Sequence, residues 1–73
     1  MNAKERELLT GMVNCYNTCH EDFEGTVRMV ASARKLKPEK VKSMLSRIAL
    51  KYGSSDEYAA LRKKLPKEFP LII

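Results

Sequence analysis

Apolar residues recur along this chain at the spacing of an α-helix, and the recurrence breaks where turn-forming residues stand. Positions three and four residues apart share one face of a helix, so each such stripe predicts an amphipathic helix. No alternation of apolar and polar residues runs long enough to predict a strand. The pattern therefore predicts an all-α fold, a small orthogonal bundle of three to four helices.

The first two helices are predicted from their apolar stripes and from the capping residues that precede them. Helix 1 is predicted over Ala3–Cys19, with Asn2 as its N-cap and Glu5 closing a capping box. Helix 2 is predicted over residues 23–35, with Asp22 as its N-cap. The inward-facing positions are Leu8, Leu9, Met12, Val13, Cys15, Tyr16 and Cys19 in helix 1, and Phe23, Val27, Val30 and Ala31 in helix 2.

Helix 3 is predicted over Pro38–Tyr52. Proline fits the first helical position, where its missing N–H costs nothing, and Gly53 is expected to end the helix in the left-handed conformation. The inward-facing positions are Val41, Met44, Leu45, Ile48 and Tyr52. Leu50 is predicted to point outward, which leaves it to be covered by the next helix or by a second subunit.

Helix 4 is predicted over residues 55–65, with a capping box of Ser54 and Glu57 at its start and Tyr58, Leu61 and Leu65 facing inward. Because these residues are predicted to be helical, no β-hairpin wing follows helix 3. The C-terminal tail, residues 66–73, is apolar and too short for a helix, so we expect it to fold back over the core. The alternative is a homodimer contact through residues 69–73 or through Leu50.

Length and charge narrow the class of protein. A chain of 73 residues forms a single domain, too small for a two-domain enzyme or a doubly wound nucleotide-binding fold. An apolar span of membrane length and an apolar secretory signal are both missing, so the expected location is cytoplasmic, with no membrane partner. The net charge of +5 is uneven, because residues 28–51 carry eight Lys or Arg against Glu39 alone, a net +7. Such a local field attracts phosphates.

A very short turn around Leu36 separates helices 2 and 3. A helix-turn-helix needs a small residue inside its first helix, an apolar residue in the turn and an apolar stripe in its second helix. Ala31 and Leu36 meet the first two needs, and Val41, Met44 and Leu45 meet the third. On these residues, segment 27–46 resembles the helix-turn-helix of bacterial DNA-binding proteins. It departs from that family at Arg34, Lys35 and Lys37, where an apolar residue, Gly and a Ser or Thr cap are usual.

The resemblance implies a small bacterial DNA-binding protein of transcription regulation, with helix 3 in the major groove of double-stranded DNA. Arg47 is the residue expected to read guanine, because its planar fork matches the O6 and N7 acceptors. Ser43 and Ser46 would share the outer face of the helix with Glu39. The predicted DNA-binding residues are Arg34, Lys35, Lys37, Lys40, Lys42, Ser43, Ser46, Arg47 and Lys51.

Cys15 and Cys19 lie four residues apart on helix 1, and His20 follows them. Two thiolates at this spacing are neighbours, but a structural zinc site needs four ligands, and only three soft ones are found here. A catalytic Cys–His pair would also need an orienting group and an oxyanion pocket. We therefore predict no metal, no cofactor, no small-molecule substrate and no enzyme activity.

Two other functions compete with DNA binding. The main alternative is a helical protein-interaction or adaptor module, in which the apolar tail or Leu50 docks a partner. RNA binding ranks below both, since Tyr52 is the one aromatic residue near the basic block and it is predicted to face inward.

Overall fold

The computed structural model describes residues 1–70, which form four α-helices and no strand. The helices are α1 (Ala3–Cys19), α2 (Phe23–Arg34), α3 (Pro38–Tyr52) and α4 (Asp56–Arg62). The predicted all-α fold is confirmed, and the bounds of α1 and α3 agree with those expected from the sequence. Within the described range, the helices are too short and too polar to cross a membrane.

The predicted caps of the first two helices are confirmed. The Asn2 side chain accepts from the Glu5 backbone N–H at 2.8 Å, and the Glu5 carboxylate accepts from the Asn2 N–H at 2.9 Å. At the start of α2, the Asp22 carboxylate accepts from the Gly25 N–H at 2.8 Å. Each cap satisfies N–H groups that the first turn of a helix leaves without partners.

The predicted start of α4 is wrong by one residue, and its predicted capping box is absent. Ser55, not Ser54, is the N-cap, and its hydroxyl accepts from the Tyr58 N–H at 3.3 Å. Glu57 instead bonds to the Arg6 side chain at 2.5 Å and lies 3.4 Å from the N-terminal amine. The helix is also shorter than the predicted range of residues 55–65, because turns follow Arg62.

Helix ends also differ from the prediction at Gly53 and Lys35. Gly53 is right-handed, at φ −54° and ψ −27°, not left-handed. Its missing side chain matters for another reason, since a Cβ there would lie 2.8 Å from the Ala49 carbonyl oxygen. Lys35 is left-handed, at φ 58°, and this ends α2 at Arg34, one residue earlier than predicted.

The apolar stripes of the helices meet in one core, and α1 contacts each of the other three helices. The buried apolar residues are Leu8, Leu9, Met12, Val13, Val27, Val30, Ala31, Val41, Leu45, Ile48, Ala49, Tyr58, Leu65 and Phe69. Cys15, Tyr16, Phe23, Met44, Tyr52 and Leu61 are half-buried against this core. Cys19 was predicted to face inward, and that prediction is wrong. The side chain is exposed because α1 ends beside it, where His20 is left-handed. Leu50 is 71% exposed, as predicted.

The chain after α4 folds back over the core as far as it is described. Phe69 is buried, and its ring meets Tyr16 and Phe23 edge-on, with centroids 5.4 and 5.5 Å away. Arg62 lies beneath this segment and donates to the carbonyls of Leu65, Pro66, Lys67 and Phe69. The expected fold-back therefore holds at Phe69. Leu71, Ile72 and Ile73, on which the predicted tail contact partly depends, lie outside the described residues.

Candidate nucleic-acid interface

The turn between α2 and α3 consists of residues 35–37, and backbone hydrogen bonds fix its shape. The Leu36 N–H donates to the Ala31 carbonyl at 2.8 Å, and the Lys35 N–H donates to the Ser32 carbonyl at 3.2 Å. This pair of bonds is a Schellman motif, in which the left-handed residue is usually Gly. Lys35 occupies that left-handed position, the same position at which the helix-turn-helix pattern usually has Gly.

The corner of the two helices is packed by the residues that the sequence singled out. Ala31 is 1% exposed and Val41 is fully buried, while Leu36 is half-buried against the core. An apolar contact between the residue after the left-handed position and the last turn of the helix commonly accompanies a Schellman motif. The small side chain of Ala31 leaves room for the turn and α3 to pack against α2.

Opposite its buried stripe, α3 presents a polar face to solvent. Ser43, Ser46 and Arg47 are exposed on this face, together with Glu39 and Lys40. Their exposure follows from the helical period, since Val41, Leu45 and Ile48 turn the other side of the helix into the core. We call the exposed cations Lys35, Lys37, Lys40 and Arg47 the basic ridge.

Ion pairs within residues 1–70 do not neutralise the basic ridge. Within residues 1–70, no ion pair involves Lys35, Lys37, Lys40 or Arg47. The nearest acidic residue in sequence is Glu39, in the first turn of α3, where a negative charge suits the helix dipole. Against Glu39, the four exposed cations of the ridge leave an excess of three positive charges.

The other predicted contact residues brace α3 and α2 against the rest of the bundle. The Lys42 ammonium lies 2.7 Å from the Glu24 carboxylate on α2. The Arg34 guanidinium crosses to α1 and donates to the Glu7 carbonyl at 2.8 Å. The structure thus divides the predicted site into free cations and cations with an intramolecular partner.

Lys51 belongs to the second group. Its ammonium lies 3.8 Å from the Glu5 carboxylate and 5.4 Å from the centre of the Tyr52 ring. The Tyr52 hydroxyl and then the Glu5 charge raise the pKa of Lys51. The same tyrosine donates to Glu5 at 2.7 Å, and this bond, after the Asn2 N–H, lowers the pKa of that carboxyl. Lys51 therefore stays charged at the end of α3 but faces α1.

Lys4 is a basic residue near the ridge that the sequence interpretation missed. It is exposed on α1 and lines two shallow clefts between α1 and α3, one of them with Lys40 and the other with Arg47. Met44 lies at the base of both clefts. The sequence gives one signal for this placement: Lys4 precedes the buried Leu8 by one helical turn, so it borders the buried face of α1.

The cysteines and His20 form no cluster of the usual metal-binding kind. Among residues 1–70, no group of three or more His, Cys, Asp or Glu side chains is close enough to hold a metal ion. The His20 ring packs edge-on against Tyr16, with centroids 5.6 Å apart. Burial, and then the neighbouring Cys19, raises the pKa of the half-buried Cys15 thiol.

The fold and surface thus define a small all-α protein with one basic, solvent-facing helix. No protein-family model, curated protein or solved structure matches this chain. Its own surface is therefore the basis for assigning what it binds.

Proposed function

We propose that this protein binds double-stranded DNA through the exposed face of α3, as a small regulator or accessory protein. The observation that carries the proposal is the unpaired basic ridge, with Lys37, Lys40 and Arg47 exposed beside Ser43 and Ser46. Unneutralised cations on a protein surface gain free energy when they replace the counterions condensed on phosphates.

The dimensions of α3 suit a groove. Its 15 residues span about 22 Å, and the major groove of B-DNA, about 12 Å wide, admits one helix. With α3 in the groove, Arg47 reads guanine through its two parallel N–H donors. Lys37 and Lys40 contact phosphates, and Ser43 and Ser46 contact base edges or phosphates.

The predicted contact residues that already have an intramolecular partner contribute to DNA binding in a second way. Lys42 pairs with Glu24 at a site where both side chains are well exposed, and exposed ion pairs are worth at most about 1 kcal/mol. A phosphate oxygen can replace Glu24 as the partner of Lys42 at little cost. Arg34 instead holds α2 against α1 and Lys51 holds α3 against α1, while Lys35 extends the ridge at the turn.

Binding to duplex DNA at increasing salt tests this function, with Arg47→Ala as the diagnostic variant. The apparent affinity should fall linearly on a log–log plot against salt, because each neutralised phosphate releases counterions. Arg47→Ala should cost about 1–3 kcal/mol of binding at a preferred sequence. The matched control is Lys64→Ala, since Lys64 is an exposed cation far along the chain from α3.

Two results would contradict DNA binding by α3. One is undetectable binding at about 50 mM salt, where counterion release is most favourable. The other is an equal loss of affinity in Arg47→Ala and Lys64→Ala, which would point to net charge alone. Tighter binding to an RNA duplex of the same length would instead favour RNA as the ligand.

The second candidate function is a helical protein-interaction module, which the exposure of Leu50 favours. Leu50 is 71% exposed on α3, and a large apolar side chain in water marks a contact surface when other apolar groups lie near it. A partner chain or a second copy of this protein would cover it. If Leu50 is a contact residue, Leu50→Ser should abolish association in sedimentation measurements. If the function of α3 is DNA binding only, the same variant should leave DNA affinity unchanged.

A further inference from the structure

The fold brings three sulfur atoms together between α1 and α2. Cys15 and Cys19 are one helical turn apart on α1, so their side chains are neighbours. Met29 comes from α2, and the Cys15 thiol donates a hydrogen bond to its sulfur at 3.7 Å. The third sulfur cannot be found from the spacing of the cysteines, because it lies fourteen residues further along the chain.

These sulfurs are open to solvent on one side. Met29 is 41% exposed, Cys19 is exposed and Cys15 is half-buried. Cys15 and Met29 line a shallow cleft between the two helices with Gly11, Ala33 and Arg34. A methionine this exposed adds little to the core, so packing alone gives no reason for its place beside two thiols.

We propose that Cys15, Cys19 and Met29 form a binding site for a single Cu(I) ion. Thiolate and thioether sulfurs are the soft ligands that select Cu(I) among biological metals. Two sulfurs bound to one ion through bonds of about 2.3 Å at trigonal or tetrahedral angles lie about 3.7–4.0 Å apart. The 3.7 Å separation of the Cys15 and Met29 sulfurs already matches that requirement.

Zinc fits this site poorly. Structural zinc takes four ligands from Cys, His and carboxylate groups, and thioethers are not among its usual ligands. Within residues 1–70, no third His, Cys, Asp or Glu joins the two thiols. His20 is the nearest imidazole in sequence, and its ring is packed against Tyr16. A three-sulfur, low-coordinate site therefore favours a monovalent soft ion.

Binding is an exchange of protons for metal with no change in oxidation state. Cu(I) displaces one proton from each thiol, and both protons pass to solvent while two Cu–thiolate bonds form. The neutral Met29 thioether donates a lone pair to form the third Cu–S bond. The product has a net charge of −1, and the Arg34 guanidinium lining the same cleft offsets it.

An anaerobic competition titration tests the site. Cu(I) is added to the reduced protein in the presence of bathocuproine disulfonate, a chromogenic Cu(I) chelator, and X-ray absorption counts the sulfur neighbours of the bound ion. The expected result is one Cu(I) per chain, three sulfur neighbours and an oligomeric state that copper does not change. A copper that bridges two chains would overturn the proposal.

The diagnostic variant is Met29→Leu, which keeps the size of an exposed side chain and removes its sulfur. It should weaken Cu(I) binding at least about tenfold, which is the low end of the losses seen when a metal site loses a supporting group. It should also reduce the number of sulfur neighbours by one. Met44→Leu is the matched control, since Met44 lies on α3 away from the cleft, and it should bind as the unaltered protein does.

The cysteine contribution is separated from folding by Cys19→Ser, because Cys19 is exposed and its replacement leaves the core intact. This variant should lose nearly all Cu(I) binding while keeping its helical circular dichroism. Equal affinity in Met29→Leu and Met44→Leu would remove Met29 from the site and with it the proposal. None of these readouts depends on the DNA-binding face, so the two proposals fail or stand separately.

Discussion

The exposed face of α3 and the segment that follows α4 both contain an arginine, and the two side chains are in opposite situations. Arg47 is exposed and forms no ion pair within residues 1–70. Arg62 is only 8% exposed and donates to the carbonyls of Leu65, Pro66, Lys67 and Phe69 at 2.9–3.3 Å. Both count equally toward the net charge, but only Arg47 presents its guanidinium group to a ligand at the surface.

The difference lies in the backbone around each arginine. The carbonyls of α3 are bonded within the helix, so Arg47 has no unsatisfied acceptor to reach and its charge stays in water. Residues 66–70 form no helix, and their carbonyls need other donors once Phe69 is buried. The planar, multi-donor guanidinium of Arg62 supplies them, although its Nε is buried without a hydrogen-bond partner. Arg62 therefore bonds the backbone of this segment to α4, in addition to the packing of Phe69 against Tyr16 and Phe23.

The largest effect expected from this comparison is a loss of stability in Arg62→Ala. Removing the guanidinium takes this donor from the buried or partly buried carbonyls of Leu65, Lys67 and Phe69, and we expect a loss of about 3 kcal/mol in the free energy of unfolding. Urea denaturation measures it. Arg47→Ala is the matched control and should change stability by less than about 0.5 kcal/mol. Similar losses in the two variants would contradict the contrast between the two arginines.

A smaller effect is expected at the corner that directs α3. Ala31 is 1% exposed beneath the turn, so Ala31→Leu forces extra atoms into a filled space and should destabilise the protein by about 1–3 kcal/mol. Ala33→Leu, at an exposed position of the same helix, is the control and should be nearly neutral. Equal melting temperatures for both variants would mean that α2 and α3 do not approach closely at Ala31.

The smallest effect is a gain of stability at the turn. Lys35 is left-handed at φ 58°, where a side chain is strained, so Lys35→Gly should stabilise the protein by up to about 1 kcal/mol. Lys37→Gly is the control, because Lys37 is extended at φ −80°, and it should stabilise nothing. A lower melting temperature for Lys35→Gly would show that the lysine side chain itself contributes to the turn.

The local features of this fold were largely predictable, and two exceptions show the limit. The caps at Asn2 and Asp22 depend on residues within three positions, and both were predicted correctly. The predictions at Gly53 and Ser54 were equally local, yet both were wrong. Gly53 is not left-handed, and Ser54 is not the N-cap of α4. The turn between α3 and α4 must also fit Tyr58 and Leu65 into the core, and that requirement shifts the cap to Ser55.

Sequence alone determined the four helices, the apolar face of each and the excess of positive charge over residues 28–51, because helical periodicity and residue type are local properties. Tertiary structure decided which charges stay free. It pairs Lys42 with Glu24, buries Arg62 under the C-terminal segment and sets Met29 beside Cys15. Such contacts join residues far apart in the chain, and they exist only once the helices have packed at particular angles and depths.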